Sequence, residues 1–240
     1  MIPRSVTGAI DGYLAAAGRA APGQVAAVYA VGSLALGDFS DRQSNVDLVV
    51  VAEPRLDARQ RDRLTRAGRR LHRARRDPEV AYLGWEDLAD GPPDGSALCT
   101  PMTWAILRHD PMALLGPDWP VVTYDPDGFR KWSADRLQAL AAASHGLLVM
   151  RRAVVPLVLE AARLAQGAIT GRVLSKSEAG ELVMPIVSSR HQRVLTDAVG
   201  YRRGAQTSMY WGPYERKYDA LAVVRELLDA AIAPGDGATT

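Results

Sequence analysis

The chain of 240 residues contains a single cysteine, Cys99, so no disulfide can form within it. Proteins without disulfides are typical of reducing compartments, which favours a cytoplasmic location. The first residues lack the apolar core of a signal peptide, and no apolar run approaches the roughly 18 residues that a membrane span needs. These absences predict an intracellular protein with no membrane partner.

Strong charge, internal repeats and metal-ligand patterns are also missing. The formal net charge is only +2, which gives no general support for a nucleic-acid partner. Four histidines, at 72, 109, 145 and 191, show no zinc-ligand spacing. With 48% hydrophobic and 23% charged residues, the composition is that of a globular protein of one domain or two modest ones.

Two apolar runs flank the most informative motif. The first, residues 28–31, ends at Gly32 and Ser33, and the second begins about a dozen residues later with Asn45 and Asp47 at its start. Gly32 lets a bulky anion approach the backbone, and Ser33 with the amides after it can donate to phosphate oxygens at a predicted helix start. Side chains alternate along a strand, so Asn45 and Asp47 point together away from the core, where Asp47 can bind Mg²⁺. Transfer from a nucleoside triphosphate requires such phosphate donors beside carboxylates.

Hydrophobic periodicity divides the chain into an α+β part and an all-helical part. The first part is predicted to contain a helix at 6–20, strands at 24–31, 46–52 and 79–83, and an arginine-rich helix at 56–76. Residues 103–108 fit either a short helix or a strand, and turn formers from 116 to 128 predict an inter-domain connection. Five further helices are predicted at 129–143, 148–167, 175–187, 190–203 and 213–232. The predicted domains are residues 1–120 and 121–240.

The helical part carries two further motifs, RLAQGAITGRVLSK at 163–176 and GYRRG at 200–204. Together with Gly32, Ser33 and Asp47, these segments resemble the aminoglycoside nucleotidyltransferases of the streptomycin/spectinomycin adenylyltransferase type. The resemblance implies a polymerase-β-like nucleotidyltransferase domain with a mixed sheet, followed by a C-terminal helical bundle. It also implies an antibiotic-resistance-like enzyme that uses ATP and Mg²⁺, with a nucleoside triphosphate and a small-molecule acceptor as partners.

The resemblance assigns nucleotide binding to several residues besides Gly32 and Ser33. Arg163 and Lys176, thirteen positions apart as in the family, match its triphosphate-binding pair. Tyr201 matches a tyrosine that helps line the nucleotide site. Trp104 lies near the position of a substrate-contacting tryptophan and is expected to shape an acceptor pocket between the two lobes.

The metal site departs from the family pattern. Asn45 stands in place of the first aspartate and offers Mg²⁺ only a neutral carbonyl oxygen. The catalytic glutamate of the family directly precedes a tryptophan, whereas here Gly84 precedes Trp85. Glu79, at a strand start, is the preferred substitute as metal ligand and general base, and Glu86 is the other candidate. The predicted metal ligands are Asp47, Glu79 and Asn45, with weaker metal affinity and a slower reaction expected.

Several of these residues also have structural interpretations. Gly32 and Ser33 could simply open a helix after a strand. Glu79 could be a solvated residue, and Arg163 could only solvate its helix. The segment Ser175–Glu178 is typical of a capping box, which would leave Lys176 free to face the cleft.

The acceptor is less defined than the nucleotide. The segment 144–152 contains no acidic residue, where the aminoglycoside-binding loop of the family carries a tryptophan and an aspartate. Residues 121–240 hold 15 Lys and Arg against 12 Asp and Glu, a formal charge of +3. A surface that receives a polycationic drug should be acidic, so a typical aminoglycoside is disfavoured.

The predicted function is the Mg²⁺-dependent transfer of AMP from ATP to a hydroxyl of a small molecule, aminoglycoside-like or another natural product. The alternative is a catalytically impaired relative that binds a nucleotide or small ligand. A third possibility, a toxin-like or regulatory transferase acting on RNA or protein, has support only from the ten arginines between 55 and 76. No aromatic residues interleave with those arginines, which favours a solvated helix face over an RNA-binding surface.

Overall fold

The computed structural model describes residues 2–68, 79–93, 96–144 and 150–233. The chain divides into two compact units, Met1–Asp125 and Pro126–Thr240. In these ranges the first unit combines a four-stranded mixed sheet with helices, and the second is helical. The predicted fold class, α+β followed by an all-helical bundle, is confirmed.

The first unit is organised around its sheet. Its described elements are α1 (Arg4–Ala20), β1 (Val25–Val31), β2 (Asp47–Ala52), α2 (Ala58–Gly68), β3 (Val80–Leu83), α3 (Trp85–Asp90), α4 (Pro101–His109) and β4 (Met112–Leu115). The strand order is β3-β2-β1-β4, with β1 antiparallel to β2 and β4, and with β2 parallel to β3. A parallel step needs a crossover, which the chain makes through the segment that contains α2. The ambiguous segment 103–108 is helical, whereas α3 and β4 were not predicted.

The two central strands carry the core of this unit. Helix α1 covers the sheet with Val6, Ile10 and Tyr13, which pack on alternate residues of β1 and β2. Around the start of β2, Val46 and Leu48 are buried while Asn45 and Asp47 are only partly covered. This is the predicted alternation, and it leaves both polar side chains off the core.

The arginine-rich helix is solvated along its described part. In α2, Leu64 is buried and packs into a small cluster with residues of α1 and β2, while Arg59 and Arg66 are exposed. This agrees with the predicted solvated face. The rest of the predicted helix, from 69 to 76, lies outside the described residues.

The second unit is built around its central helix. Its described helices are α5 (Pro126–Ala143), α6 (Arg151–Thr170), α7 (Lys176–Leu182), α8 (Gln192–Arg202) and α9 (Pro213–Ile232), with a 3₁₀ turn at Met184–Ile186. Helix α6 packs against each of the other four. Among the described helices, α6 is the one long and apolar enough to cross a membrane by length and composition alone, with 56% of its apolar window buried. Core helices of soluble proteins share these properties, so the observation is weak support for a membrane span.

Two glycines let neighbouring helices approach α6 closely. A Cβ on Gly180 of α7 would lie 2.8 Å from Leu159 Cδ2 and 2.9 Å from Val199 Cγ2. A Cβ on Gly167 of α6 would lie 2.6 Å from Ser133 Oγ of α5. All three distances are too short for a side chain, so glycine at these positions fixes the spacing of α5, α6, α7 and α8.

Candidate functional site

The first cluster lies where β1 ends and β2 begins. Val31 pairs with Asp47 across the two strands, and Gly32 follows with a φ of +64°. A Cβ at Gly32 would stand 3.0 Å from Asp47 Oδ2. The Asp47 carboxylate therefore packs directly against the bare backbone of Gly32. The positive φ favours glycine there, and a methyl group would press on the carboxylate.

The segment after Gly32 is a single turn and not the predicted helix start. The amide of Leu36 donates to the Gly32 carbonyl at 3.1 Å, and Gly37 follows with a φ of +67°. The Asp38 amide then donates to the Ser33 carbonyl at 2.9 Å, while the Gly37 amide donates to the Leu34 carbonyl at 3.4 Å. This pair of bonds around a left-handed glycine is a Schellman motif, which closes the turn before a helix can extend. The prediction of a helix at Ser33 is wrong, although the turn keeps Ser33 beside the end of β1.

Asn45 presents an acceptor atom without a donor. Its Oδ1 is buried and has no hydrogen-bond partner in the structure. Buried acceptors are nearly always paired with a donor or a cation, so this oxygen fits a hard cation bound beside Asp47. Within the described ranges, no three His, Cys, Asp or Glu side chains converge as a metal cluster. The donor set that the sequence predicts is thus poor in carboxylates.

The two candidate glutamates lie beyond opposite ends of strand β3. Leu48 pairs with Val80 in the parallel register, and the Leu48 amide donates to the Glu79 carbonyl at 3.0 Å. Glu79 is exposed and directly precedes β3, at the same sheet edge as Asp47. Glu86 follows the other end of β3. The register therefore favours Glu79 over Glu86 as a partner of Asp47.

Glu86 has a structural contact that accounts for its position. Its Oε1 accepts from Arg55 Nε at 2.6 Å, and Arg55 also donates to Asp87 at 2.8 Å. These side chains are largely exposed, except for Asp87. Solvent screens exposed ion pairs of this kind, so the contact contributes little to stability and explains the position of Glu86 without making it a site.

Trp104 does not lie on a surface that an acceptor could reach. It belongs to α4, where residues 102–107 are all buried, and only 1% of its own surface is exposed. A short helix buried on most of its circumference places its aromatic residue in the core. The predicted contact between Trp104 and the substrate has no support in this position.

The second cluster joins the two predicted triphosphate-binding residues through a glutamate. Arg163 Nη2 of α6 lies 2.8 Å from both carboxylate oxygens of Glu160, one turn earlier on the same helix. Lys176 Nζ, at the first position of α7, lies 3.0 Å from Glu160 Oε2. Glu160 was not predicted as a site residue. Its three-residue spacing from Arg163 is the sequence signal that could have found it.

Burial and charge act in opposite directions on these groups. Burial alone would raise the pKa of Glu160, but the attraction of Arg163 and Lys176 outweighs it and lowers that pKa to about 2. Burial lowers the pKa of Lys176, and Glu160 opposes this change while Arg163 and Arg202 add to it. Arg202 of α8 is itself buried, with 8% of its surface exposed. Cations outnumber the carboxylate here, which favours the binding of an anion.

Tyr201 and Arg151 belong to a network that has a structural explanation. The Arg151 guanidinium lies 4.6 Å from the centroid of the Tyr201 ring. Arg151 also donates to both carboxylate oxygens of Asp197 at 3.0 Å, and the Asp197 side chain is only 1% exposed. The basic residue at the start of α6 is thus neutralised within the unit. Residues 145–149 of the predicted acceptor segment lie outside the described residues.

The loop between Arg163 and Lys176 is fixed by capping interactions. Gly171 ends α6 with a φ of +69°, and Arg130 donates to the carbonyls of Ile169 and Thr170 at 2.8 Å and 3.1 Å. The Ser175 hydroxyl accepts the Glu178 amide at 3.2 Å and begins α7. The predicted capping interaction is therefore present, and Lys176 is left to bind Glu160.

Comparisons with known proteins concern the helical unit and the fold of the chain. Residues 134–225 match the family model described as aminoglycoside adenylyltransferase, C-terminal domain. The matched residues cover most of the helical unit. The chain is also similar to spectinomycin adenyltransferase AAD(9) from Enterococcus faecialis, solved with ATP and spectinomycin. The TM-score is 0.66 at 15% identity, over 92% of this chain and 98% of that chain. No curated protein matches the chain by sequence.

The comparisons confirm the resemblance predicted from the sequence. The matched family and the similar structure are both adenylyltransferases, which is the predicted enzyme class. At 15% identity the structural likeness establishes the fold, and the roles of individual residues have to be argued from this chain.

Proposed function

We propose that this chain is a nucleotidyltransferase that transfers AMP from ATP to a hydroxyl of a small molecule. The observation that carries the proposal is the packing of the Asp47 carboxylate against Gly32. A Cβ added at Gly32 would lie 3.0 Å from Asp47 Oδ2. An anion-tolerant glycine and a cation-binding carboxylate at one strand junction are the two requirements of phosphoryl-type transfer. The domain family of the helical unit supports the same activity.

The first unit supplies the groups for the reaction. Gly32 allows the α-phosphate end of the nucleotide to approach the backbone, and the Ser33 hydroxyl donates to a phosphate oxygen. The acceptor hydroxyl oxygen forms a bond to the α-phosphorus as the bond to the bridging oxygen breaks, and pyrophosphate leaves. The Glu79 carboxylate takes the proton of that hydroxyl, because it is exposed at the sheet edge that carries Asp47.

Asp47, Glu79 and Asn45 are proposed to hold Mg²⁺. Two carboxylates and a carbonyl oxygen are hard donors, and the unpartnered Oδ1 of Asn45 fits this role. When bound, the ion neutralises charge on the phosphates. Asn45 supplies no charge of its own, so we expect weaker binding of the ion than with an aspartate there.

The second unit supplies cations for the triphosphate. Arg163 and Lys176 meet at Glu160, and they are proposed to bind the β- and γ-phosphates. Tyr201, whose ring centroid lies 4.6 Å from the Arg151 guanidinium, is proposed to line the nucleotide site. ATP as the nucleotide is supported by the similar structure, which was solved with it.

The acceptor is proposed to be a hydroxylated natural product with few amino groups. The similar structure was solved with spectinomycin, whereas residues 121–240 of this chain have a formal charge of +3, from 15 basic and 12 acidic residues. A basic surface repels a polycation, so acceptors with little positive charge are favoured. A cytoplasmic location, suggested by the single Cys99, is part of the proposal.

A pair of glutamate variants tests the proposed base. The protein is incubated with ATP, Mg²⁺ and a panel of aminoglycosides, aminocyclitols and neutral natural products, and AMP adducts are detected by mass spectrometry. Glu79→Gln should abolish adduct formation while the circular dichroism and melting temperature stay unchanged. Glu86→Gln, at the other end of β3, should retain it. Undiminished turnover of Glu79→Gln removes Glu79 from this role.

A further inference from the structure

The cluster on α6 and α7 is arranged around one carboxylate. Arg163 uses a single nitrogen, Nη2, to reach both oxygens of Glu160, and Lys176 approaches one of the same oxygens from the neighbouring helix. Their side chains are 16% and 27% exposed, and that of Glu160 is 26% exposed. A partly buried carboxylate shared by two cations fixes both side chains in one geometry.

Donor capacity remains in this cluster. Arg163 Nε is buried and has no hydrogen-bond partner in the structure. Arginine carries five N–H donors in a rigid fork, and Glu160 engages only Nη2 among the contacts described above. A buried donor without an acceptor is costly, so it indicates a ligand with further oxygens.

The charges of the cluster also leave room for an anion. Arg163 and Lys176 carry two positive charges against the one negative charge of Glu160 that they share, a formal excess of +1. Without Glu160, Arg163 and Lys176 would repel each other in a poorly solvated space, and a lysine there loses its proton readily. The carboxylate is therefore what lets the two side chains stay together and charged before a ligand arrives.

We propose that Glu160 is a positioning residue, which holds Arg163 and Lys176 side by side as one binding cluster for the polyphosphate of the nucleotide. The inference rests on the proposed function, because it names a residue that prepares the triphosphate site. Glu160 itself contacts the cations and not the reacting atoms. Its effect on the bound phosphate is transmitted through Lys176, which it keeps protonated, and through Arg163, which it orients.

The groups that act on Lys176 define the pH dependence. Burial, Arg163 and Arg202 lower the pKa of Lys176, and Glu160 is the group that opposes them. Replacement of Glu160 by glutamine leaves only influences that lower this pKa. In the variant, Lys176 should lose its proton at a lower pH, and phosphate binding should then weaken as the pH rises.

Calorimetry with inorganic tripolyphosphate separates this role from the chemistry of transfer. Affinities of wild type, Glu160→Gln and Glu181→Gln are measured at pH 6 and pH 9. The affinity of each variant is divided by that of wild type at the same pH, so that the protonation of tripolyphosphate itself cancels. Glu181 pairs with Arg203 on the surface of the same unit, so Glu181→Gln makes the same charge change elsewhere. The Glu160→Gln ratio should fall about tenfold or more between the two pH values, while the Glu181→Gln ratio stays constant.

Two outcomes overturn the inference, and they are distinguishable. If wild type binds tripolyphosphate and ATP but the Glu160→Gln ratio does not change with pH, Glu160 has only a structural role and the proposed function stands. If wild type binds neither anion, the proposed function fails together with the inference. A ligand-free check is the NMR titration of the Lys176 ε-carbon, whose midpoint should be lower in Glu160→Gln; an unchanged midpoint also overturns the inference.

Discussion

Substitution of Gly32 by alanine tests the strand junction, and Gly23 provides a matched control. Both glycines have a positive φ, +64° for Gly32 and +71° for Gly23. A side chain in this conformation costs about 1–2 kcal/mol, so both alanine variants should lose stability by that amount. Urea unfolding measures this common effect.

The two variants differ in what the new methyl group meets. At Gly23 no heavy atom lies within 4 Å of a Cβ, whereas at Gly32 the Cβ would be 3.0 Å from Asp47 Oδ2. Carbon–oxygen contacts normally lie at about 3.3–3.6 Å, so the carboxylate must move by several tenths of an ångström. Because Asp47 is proposed to bind the metal, its displacement should weaken Mg²⁺-dependent ATP binding about tenfold, or about 1.4 kcal/mol.

The assay is calorimetric titration of ATP with Mg²⁺ into both variants and wild type. We expect Gly23→Ala to bind as wild type does and Gly32→Ala to bind more weakly. Equal affinities of the two variants would refute the reasoning, because they would mean that the position of Asp47 does not matter for the nucleotide.

Three other predictions concern metal affinity, a buried ion pair and acid stability. Asn45→Asp should strengthen Mg²⁺ binding about tenfold, because it adds a charged ligand. Titration of Mg²⁺ in the presence of ATP measures this affinity. Activity gained only in this variant would indicate that the wild-type enzyme is impaired. Asp197→Asn should lower the free energy of unfolding in urea by about 3–5 kcal/mol, because it removes the charge that pairs with buried arginines. Asp135→Asn, at an exposed ion pair, should lower it by less than about 1 kcal/mol. Equal losses in the two variants would contradict the structural role given to Asp197. Because the pKa of Glu160 is lowered to about 2, its contribution is complete above about pH 5 and disappears as the pH falls through 2. The difference in unfolding free energy between wild type and Glu160→Gln should therefore shrink by about 3 kcal/mol between pH 5 and 2, and a constant difference would contradict this account.

The sequence predicted the strand junction because period-two alternation is a strong local signal. Val46 and Leu48 had to be buried, which left Asn45 and Asp47 on the other side. The helices of the second unit followed from their apolar stripes in the same way. Pairing of β1 with β2 then brought Asp47 to Gly32, and no long-range information was needed beyond the short connection.

Other features depend on packing that the sequence does not display. Strand β4 has four residues, Met112–Leu115, and is only partly buried, so it exists through its pairing with β1 and not through its own pattern. The turn after Gly32 contains apolar residues that suit a helix, and Gly37 ends it after one turn. Trp104 was placed by resemblance alone, and the burial of α4 could not be read from nine residues.

Glu160 shows a different limit of prediction. It lies within an apolar run and reads there as an isolated charge on a core helix. Its importance comes from Lys176, sixteen positions later on another helix, whose approach depends on the close packing of Gly180 against α6. Only the (i, i+3) spacing to Arg163 hinted at it.

Calorimetric titration of ATP into wild-type protein and Lys176→Met, with and without Mg²⁺, tests the central claim most directly. The proposed nucleotidyltransferase should bind ATP in a Mg²⁺-dependent manner, and Lys176→Met should lose most of that affinity with its fold intact. Absence of ATP binding to the wild type, or binding that neither Mg²⁺ nor Lys176 affects, would contradict the proposed function.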